Sequence, residues 1–458
     1  METKPFIPSL LRIAAPIMLQ YLFNNLSSIV TTLLTGQLGD ASLAAVGLAN
    51  QVFFVLSVIL FGVGSGCAVF GSQYFGSRDL PSVHKVMGIS LTLTLSIASL
   101  VFALSIFVPQ SLLSLYTNDP EVIRLGAEYL RLLAPSFLFT AVVYSFSSTL
   151  RSTGETRLPM IASVVGLLVN LSLASVLMFG RFGFPVLGMR GAAIALGSAR
   201  AVETMLIVVF TFRLRLPAAA KLREYFGFSM TFLKRVLGRA MAVTANELVW
   251  VLGVTTFNAI YAHISTTSIA AFSIMQTVES IAFAFIMGIS IATGILVGQH
   301  IGAGGEQEVL KHARKALRLA VILALILGAL IATLGVASVN FYKVSAEVAD
   351  TARVMLLVLA SAFLIRVINT FIILGFLRAG GDTTFSAVVD SGTMWLVGVP
   401  LAAVGAFILH LPAYMVYMMA LSDEVVKLIF TYRRYRSGRW VNNLVRPPSE
   451  AELEVIRI

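Results

Sequence analysis

Charge is scarce in this chain. Of its 458 residues, 12% are Asp, Glu, Lys or Arg, against roughly 25% in an average soluble protein. So little charge cannot solvate the surface of a soluble protein of this length. Cysteine is nearly absent. Cys67 stands alone, so no intramolecular disulfide can form, and in its apolar, Gly/Ser-rich stretch it reads as a small packing residue. The five histidines, at 84, 263, 300, 312 and 410, fall at or near the ends of apolar runs without ligand spacing. That argues against a resident metal or an intramembrane enzyme. No cleavable signal pattern follows the opening Met-Glu-Thr-Lys, so the first apolar run is expected to direct insertion itself.

The chain is rich in apolar residues. It is 58% hydrophobic, in recurring runs of about 20 residues, each enough to cross a hydrocarbon core of about 30 Å. We place spans at 9–35, 43–71, 86–108, 122–149, 159–180, 187–212, 234–261, 268–297, 316–339, 347–376, 385–408 and 411–432. Turn and helix-stop sequences mark several breaks: Gly36 to Asp40, Pro109, Asn118-Asp119-Pro120, Pro159, Pro185, Gly302 to Gly305 and Gly380-Gly381-Asp382. The expected fold is an all-α polytopic membrane protein of twelve transmembrane helices.

The second half repeats the first. At an offset of 226, Ser42-Leu43-Ala44-Ala45 falls on Ser268-Ile269-Ala270-Ala271, Gly62 on Gly288, Gln73 on Gln299, Gly76 on Gly302 and Lys85 on Lys311. One residue later in phase, Leu150-Arg151-Ser152-Thr153-Gly154-Glu155-Thr156 falls on Leu377-Arg378-Ala379-Gly380-Gly381-Asp382-Thr383. Six spans per half return the chain to its starting side. The two six-helix bundles are therefore parallel repeats, expected to be related by a pseudo-twofold axis along the membrane normal, as in alternating-access transporters. The glycine-marked segments 62–76 and 288–302 are expected to be equivalent helix ends, with Gln73 and Gln299 satisfying backbone groups there.

Charge orients the frame. The loops and adjoining span ends on one side carry 24 lysines and arginines, Lys4, Arg378, Arg446 and Arg457 among them, and those on the other carry six: Arg124, Arg131, Arg181, Arg190, Lys343 and Arg353. This bias puts both termini in the cytoplasm. It also accounts for the net charge of +11, which reflects topology and attraction to anionic lipid rather than nucleic-acid binding. The expected division is an N-terminal lobe 1–212, a basic cytoplasmic linker 213–239, a C-terminal lobe 240–436 and a cytoplasmic tail 437–458.

An ionisable group within a span is costly and needs a reason. With loops and span ends set aside, we single out Arg200, Glu203, Glu247, Glu279, Arg366 and Asp390. Arg200 and Glu203, three residues apart, are expected to pair locally. Glu247 has no basic neighbour on its own helix. Burial disfavours its charged form and a nearby cation restores it, as an ion-coupled carrier requires. Arg366 shares a helix face with Asn369, and the economical arrangement pairs it with Glu247 across spans 7 and 10, with Asn369 and Asp390 completing the hydrogen bonds. A sodium ion at Glu247 is the alternative to a proton, and no other metal is called for. Tyr21, the repeat counterpart of Glu247, together with Asn24, Asn50, Asn170, Trp250, Gln276 and Glu279, is expected to line a substrate cavity.

Pro16-Ile17-Met18-Leu19-Gln20, Leu38-Gly39-Asp40, Leu43-Ala44-Ala45-Val46-Gly47, Gly71-Ser72-Gln73-Tyr74-Phe75-Gly76 and Gly188-Met189-Arg190-Gly191-Ala192-Ala193, with the two Leu-Arg segments above, make the chain resemble the multidrug and toxic compound extrusion (MATE) transporters over nearly its whole length. The resemblance implies a V-shaped antiporter exporting organic, often cationic, amphiphiles against inward proton or sodium flow, without a cofactor. Its partners would be a small organic substrate and the lipid bilayer, and the chain would act as a monomer. Three positions depart from the family's pattern: Thr31 where many members have an aspartate, Trp250 where a span 7 glutamate would fall, and Arg366-Val367 near the span 10 acid. The competing expectation is a flippase of lipid-linked precursors on a related two-lobe fold, which would carry several cations at depth.

Overall fold

The computed structural model describes residues 6–445, apart from the side chains of Ser28 and Glu306. Lys4, Arg446 and Arg457 thus lie outside the described residues. Among those described, every regular element is a helix, as it must be where no water is present to satisfy an open sheet edge. The first half contains α1 (Phe6–Gly36), α2 (Asp40–Gly76), α3 (Leu80–Phe107), α4 (Pro120–Leu133), α5 (Pro135–Ser152), α6 (Arg157–Phe179) and α7 (Met189–Arg213). A short α8 (Leu222–Phe226) lies in the linker. The second half contains α9 (Met230–Ile264), α10 (Thr266–Gly302), α11 (Gln307–Phe341), α12 (Ala346–Arg378), α13 (Thr383–Ile408), α14 (Ala413–Ala420) and α15 (Ser422–Ser437).

Ten of these helices are long and apolar enough to cross a membrane. The α4–α5 pair, bent by 51°, brings the number to eleven when counted as one span. The bend sits at Pro135, where a missing N–H and the ring's clash with the preceding turn break the ladder. The twelfth expected span is divided into α14 and α15 at Leu421 and carries Asp423, Glu424 and Lys427, which lower its apolarity. Helix ends track the sequence closely: the Asp119 side chain accepts from the backbone N–H groups of Glu121 and Val122 ahead of Pro120. Gly154 and Gly381, one repeat apart, both take positive φ (87° and 81°), a conformation open to glycine at little cost.

The chain packs as two units. The first comprises Leu19–Gly71 and Asp79–Thr244; the second comprises Ser72–Arg78 with the described parts of Met1–Met18 and Ala245–Ile458. In the first, Leu60, Tyr129, Leu133 and Phe137 are buried together. In the second, Tyr261 stacks on Phe272 at 4.1 Å, and Phe363, Phe371, Phe376 and Trp440 are fully enclosed.

The halves use glycine alike. A Cβ on Gly62 would overlap Thr244 in the first unit, and one on Gly288 would overlap Met18 in the second. Each pair is the other shifted by 226 residues. The linker is docked rather than loose: Tyr225 is buried, its hydroxyl donating to the Ala218 carbonyl at 2.6 Å and accepting from Ala220 N–H at 3.1 Å. Gly88 of α3 lies directly beneath the Tyr225 carbonyl.

Candidate functional site

Apart from the Asp382–Arg434 pair, the buried charges of the second unit lie in one group. Glu247 on α9 does not meet Arg366. Its partner is Arg378, which donates to the Glu247 carboxylate at 2.7 Å and is only 5% exposed. Arg378 lies two residues beyond the span expected at 347–376, among the charges counted near the loop ends. In the structure the helix runs on through Phe371–Arg378 as a π-helical stretch, so Arg378 belongs to the end of α12 and its guanidinium is buried.

Arg366 pairs instead with Glu279 on α10 and lies 3.7 Å from Glu424 on α15. Tyr417 accepts a further, longer bond from it at 3.4 Å. Asn369 also serves Glu424 rather than Glu247, donating to its Oε2 at 2.7 Å and its carbonyl at 2.8 Å. Asp390 is likewise drawn into the group. It accepts from Asn246 Nδ2 at 3.0 Å and faces the Lys427 ammonium at 3.0 Å. Lys427, itself 9% exposed, also lies 3.5 Å from Glu424 and 3.7 Å from Asp423. Sequence reasoning missed Lys427, Asp423 and Glu424, which sit inside the last span.

The group therefore holds five carboxylates (Glu247, Glu279, Asp390, Asp423 and Glu424) and three cations (Arg366, Arg378 and Lys427), every one at most 26% exposed. At this depth an unbalanced charge costs several kcal/mol by effective values for real proteins.

The first unit carries a smaller chain of polar contacts. Arg151 donates to Gln20 Oε1 at 3.2 Å, Gln20 Nε2 donates to Ser163 at 2.8 Å, and Ser163 donates to Glu203 at 2.6 Å. Arg200 closes the chain on Glu203 at 2.5 Å, the local pair expected from its spacing. Shifted by one repeat, these residues land on the second group: Gln20 on Asn246, Arg151 on Arg378, Ser163 on Asp390, and, at the 224-residue offset of the last helices, Arg200 on Glu424 and Glu203 on Lys427. The final pair is inverted in charge. That correspondence was the available signal for Arg378 and Lys427.

Of the expected cavity residues, Tyr21, Asn24, Asn50 and Asn170 belong to the first unit and Trp250, Gln276 and Glu279 to the second. Asn170 is buried, Tyr21, Asn50 and Gln276 are half-buried, and Asn24 and Trp250 are exposed. Glu279 is committed to its ion pair with Arg366. Among the described residues no group of three His, Cys, Asp or Glu side chains has metal-binding geometry.

The sequence profile of the MatE family matches residues 16–176 and 242–404, one match in each half. The uncharacterized transporter YisQ of Bacillus subtilis is 26% identical over 94% of this chain and 95% of its own length. The probable multidrug resistance protein NorM of Thermotoga maritima is 24% identical over 95% and 93%. A crystal structure of MATE in complex with MaL6 superposes with a TM-score of 0.86, covering 94% of this chain and 96% of that one at 20% identity, which speaks to the fold.

Proposed function

The chain belongs to the MatE family of multi-pass membrane transporters, and on that premise we propose that it exports organic, often cationic and amphiphilic compounds in exchange for protons or sodium. The observation that carries the coupling is the charge imbalance in this group of the second unit, five buried carboxylates against three buried cations. Two negative charges in a low-dielectric interior call for balancing by protons or bound cations, and a group that takes up positive charge from one side and gives it up to the other is what antiport requires. Its members are held by hydrogen bonds across α9, α10, α12, α13 and α15, so loading it biases how those helices pack, and the bias is available to drive the cycle.

Within this reading Glu247 is the loading carboxylate and Arg378 its resident counter-ion, in place of Arg366. Asp390, with Asn246 and Lys427, and the Arg366–Asn369–Glu424 contacts form the surround that senses the loading. The lobes 1–212 and 240–436 are proposed as the moving parts, with the 213–239 linker and both termini on the cytoplasmic side and one chain as the working unit.

Purified protein in proteoliposomes, given an organic cation inside and either a pH gradient or a sodium gradient, tests the proposal. Uptake of one ion should drive export of the cation. Export indifferent to both gradients would overturn it.

A further inference from the structure

The residues after α15 do not leave the helix bundle. Trp440 is fully buried, within 5.7 Å of the Phe376 ring, and its indole N–H donates to the Tyr435 carbonyl at 3.1 Å. Asn442 N–H donates to the Gly380 carbonyl at 2.9 Å, and Asn443 Nδ2 donates to the Ile301 carbonyl at 3.1 Å. Gly380 has no room for a side chain, because its Cβ would overlap the Trp440 carbonyl. Three helix ends meet under this strap, and Gln73 of α2 is the hub. Its Nε2 donates to the carbonyls of Ala379 (3.1 Å) and Asn442 (3.2 Å), and its Oε1 accepts from Leu444 N–H at 2.7 Å.

Beneath the strap the last turns of α2 and α10 cross at backbone contact. A Cβ on Gly76 would overlap the Gln299 carbonyl, and one on Gly302 would overlap the Gln73 carbonyl. The two contacts are each other's repeat image. The last turn of α2 packs in the second unit, whereas Asp40–Gly71 of the same helix packs in the first. The chain thus passes between units at Gly71-Ser72, and the strap grips the first residues beyond that point.

We propose that Gly438–Val445 is a latch: it holds the last turn of α2 against the ends of α10 and α12, and this end of the helices opens only when Gln73 lets go of the strap. A glutamine side chain suits the task. Its three bonds are neutral and individually modest, so they can be broken and remade within a cycle, where a buried ion pair would hold too firmly.

Cys67 is buried and alone, so a Cys67→Ser background permits a direct test in the purified full-length protein. Ser72→Cys, next to Gln73, packed against Gly298 of α10 and 2% exposed, reports opening by its rate of reaction with a membrane-impermeant maleimide. Gln73→Ala, Trp440→Ala and truncation after Ser437 should each raise that rate about tenfold or more, the equivalent of losing one or two net hydrogen bonds. Truncation after Val445 should leave it unchanged. An unchanged rate after removal of the strap would overturn the latch. So would an equal gain at Ser145→Cys, a fully buried position in the first unit, since that would mean general loosening.

Discussion

Glu247 and Arg378 carry the sharpest expectations at the scale of single residues. Glu247→Gln keeps the side chain's shape and removes its charge, so gradient-driven export should be abolished while substrate binding to the purified protein survives. Ordinary driven export by this variant would refute the assignment. Arg378→Met leaves Glu247 buried without its cation and should destabilise the fold by about 3–5 kcal/mol, the range for breaking one side of a buried pair. Lys427→Met, which strips three carboxylates of a shared partner, belongs in the same range. Arg353, paired with Asp350 where the latter is 71% exposed, should cost under about 1 kcal/mol when replaced by Ala. Thermal unfolding of the variants in one detergent ranks them. An Arg353 loss as large as that of Arg378 would contradict the burial argument.

At the scale of elements, glycine decides how closely helices approach. Gly302→Ala must push α10 away from the Gln73 carbonyl, and Gly76→Ala must do the same on the other side of the crossing. Both should lower the melting temperature clearly, each costing about 1–3 kcal/mol as overpacking does. Gly47→Ala, on α2 with open space around it, should be neutral or mildly stabilising through helix propensity. Reversal of that order in thermal unfolding would mean the crossing is not the tight contact described. The linker obeys the same rule. Gly88→Ala should release Tyr225 from α3 and expose the 213–239 segment to limited proteolysis, whereas Tyr225→Phe removes a hydroxyl that both donates and accepts and should cost about 1–3 kcal/mol by leaving buried backbone groups unpaired. The α4–α5 bend comes from Pro135, a local rule that sequence reasoning passed over because the apolar run continues through it.

At the scale of the whole molecule, the asymmetry of lysine and arginine predicts sidedness. With Cys67 replaced, a cysteine at Ser229 should react with an impermeant maleimide only from inside, and one at Ser345 only from outside. Both positions are exposed. Reaction of Ser229→Cys in intact cells would invert the topology and with it the direction assigned to transport.

The placement of most spans, the repeat, the glycine pairs and the isolation of Glu247 on its helix were legible in the sequence. Each depends on local composition or on spacing along one chain: an apolar run must be helical in lipid, and a glycine one repeat from another meets an equivalent environment. Which carboxylate meets which cation was decided only by the tertiary structure. On a helix one residue of phase turns a side chain by about 100°, and α12 runs on through Phe371–Arg378, so Arg378 is a buried helix residue and not a loop one. Arg366, three turns earlier, is left facing Glu279 and Glu424 instead. Partner choice between buried charges depends on distances across five helices, and no spacing within one helix encodes those distances.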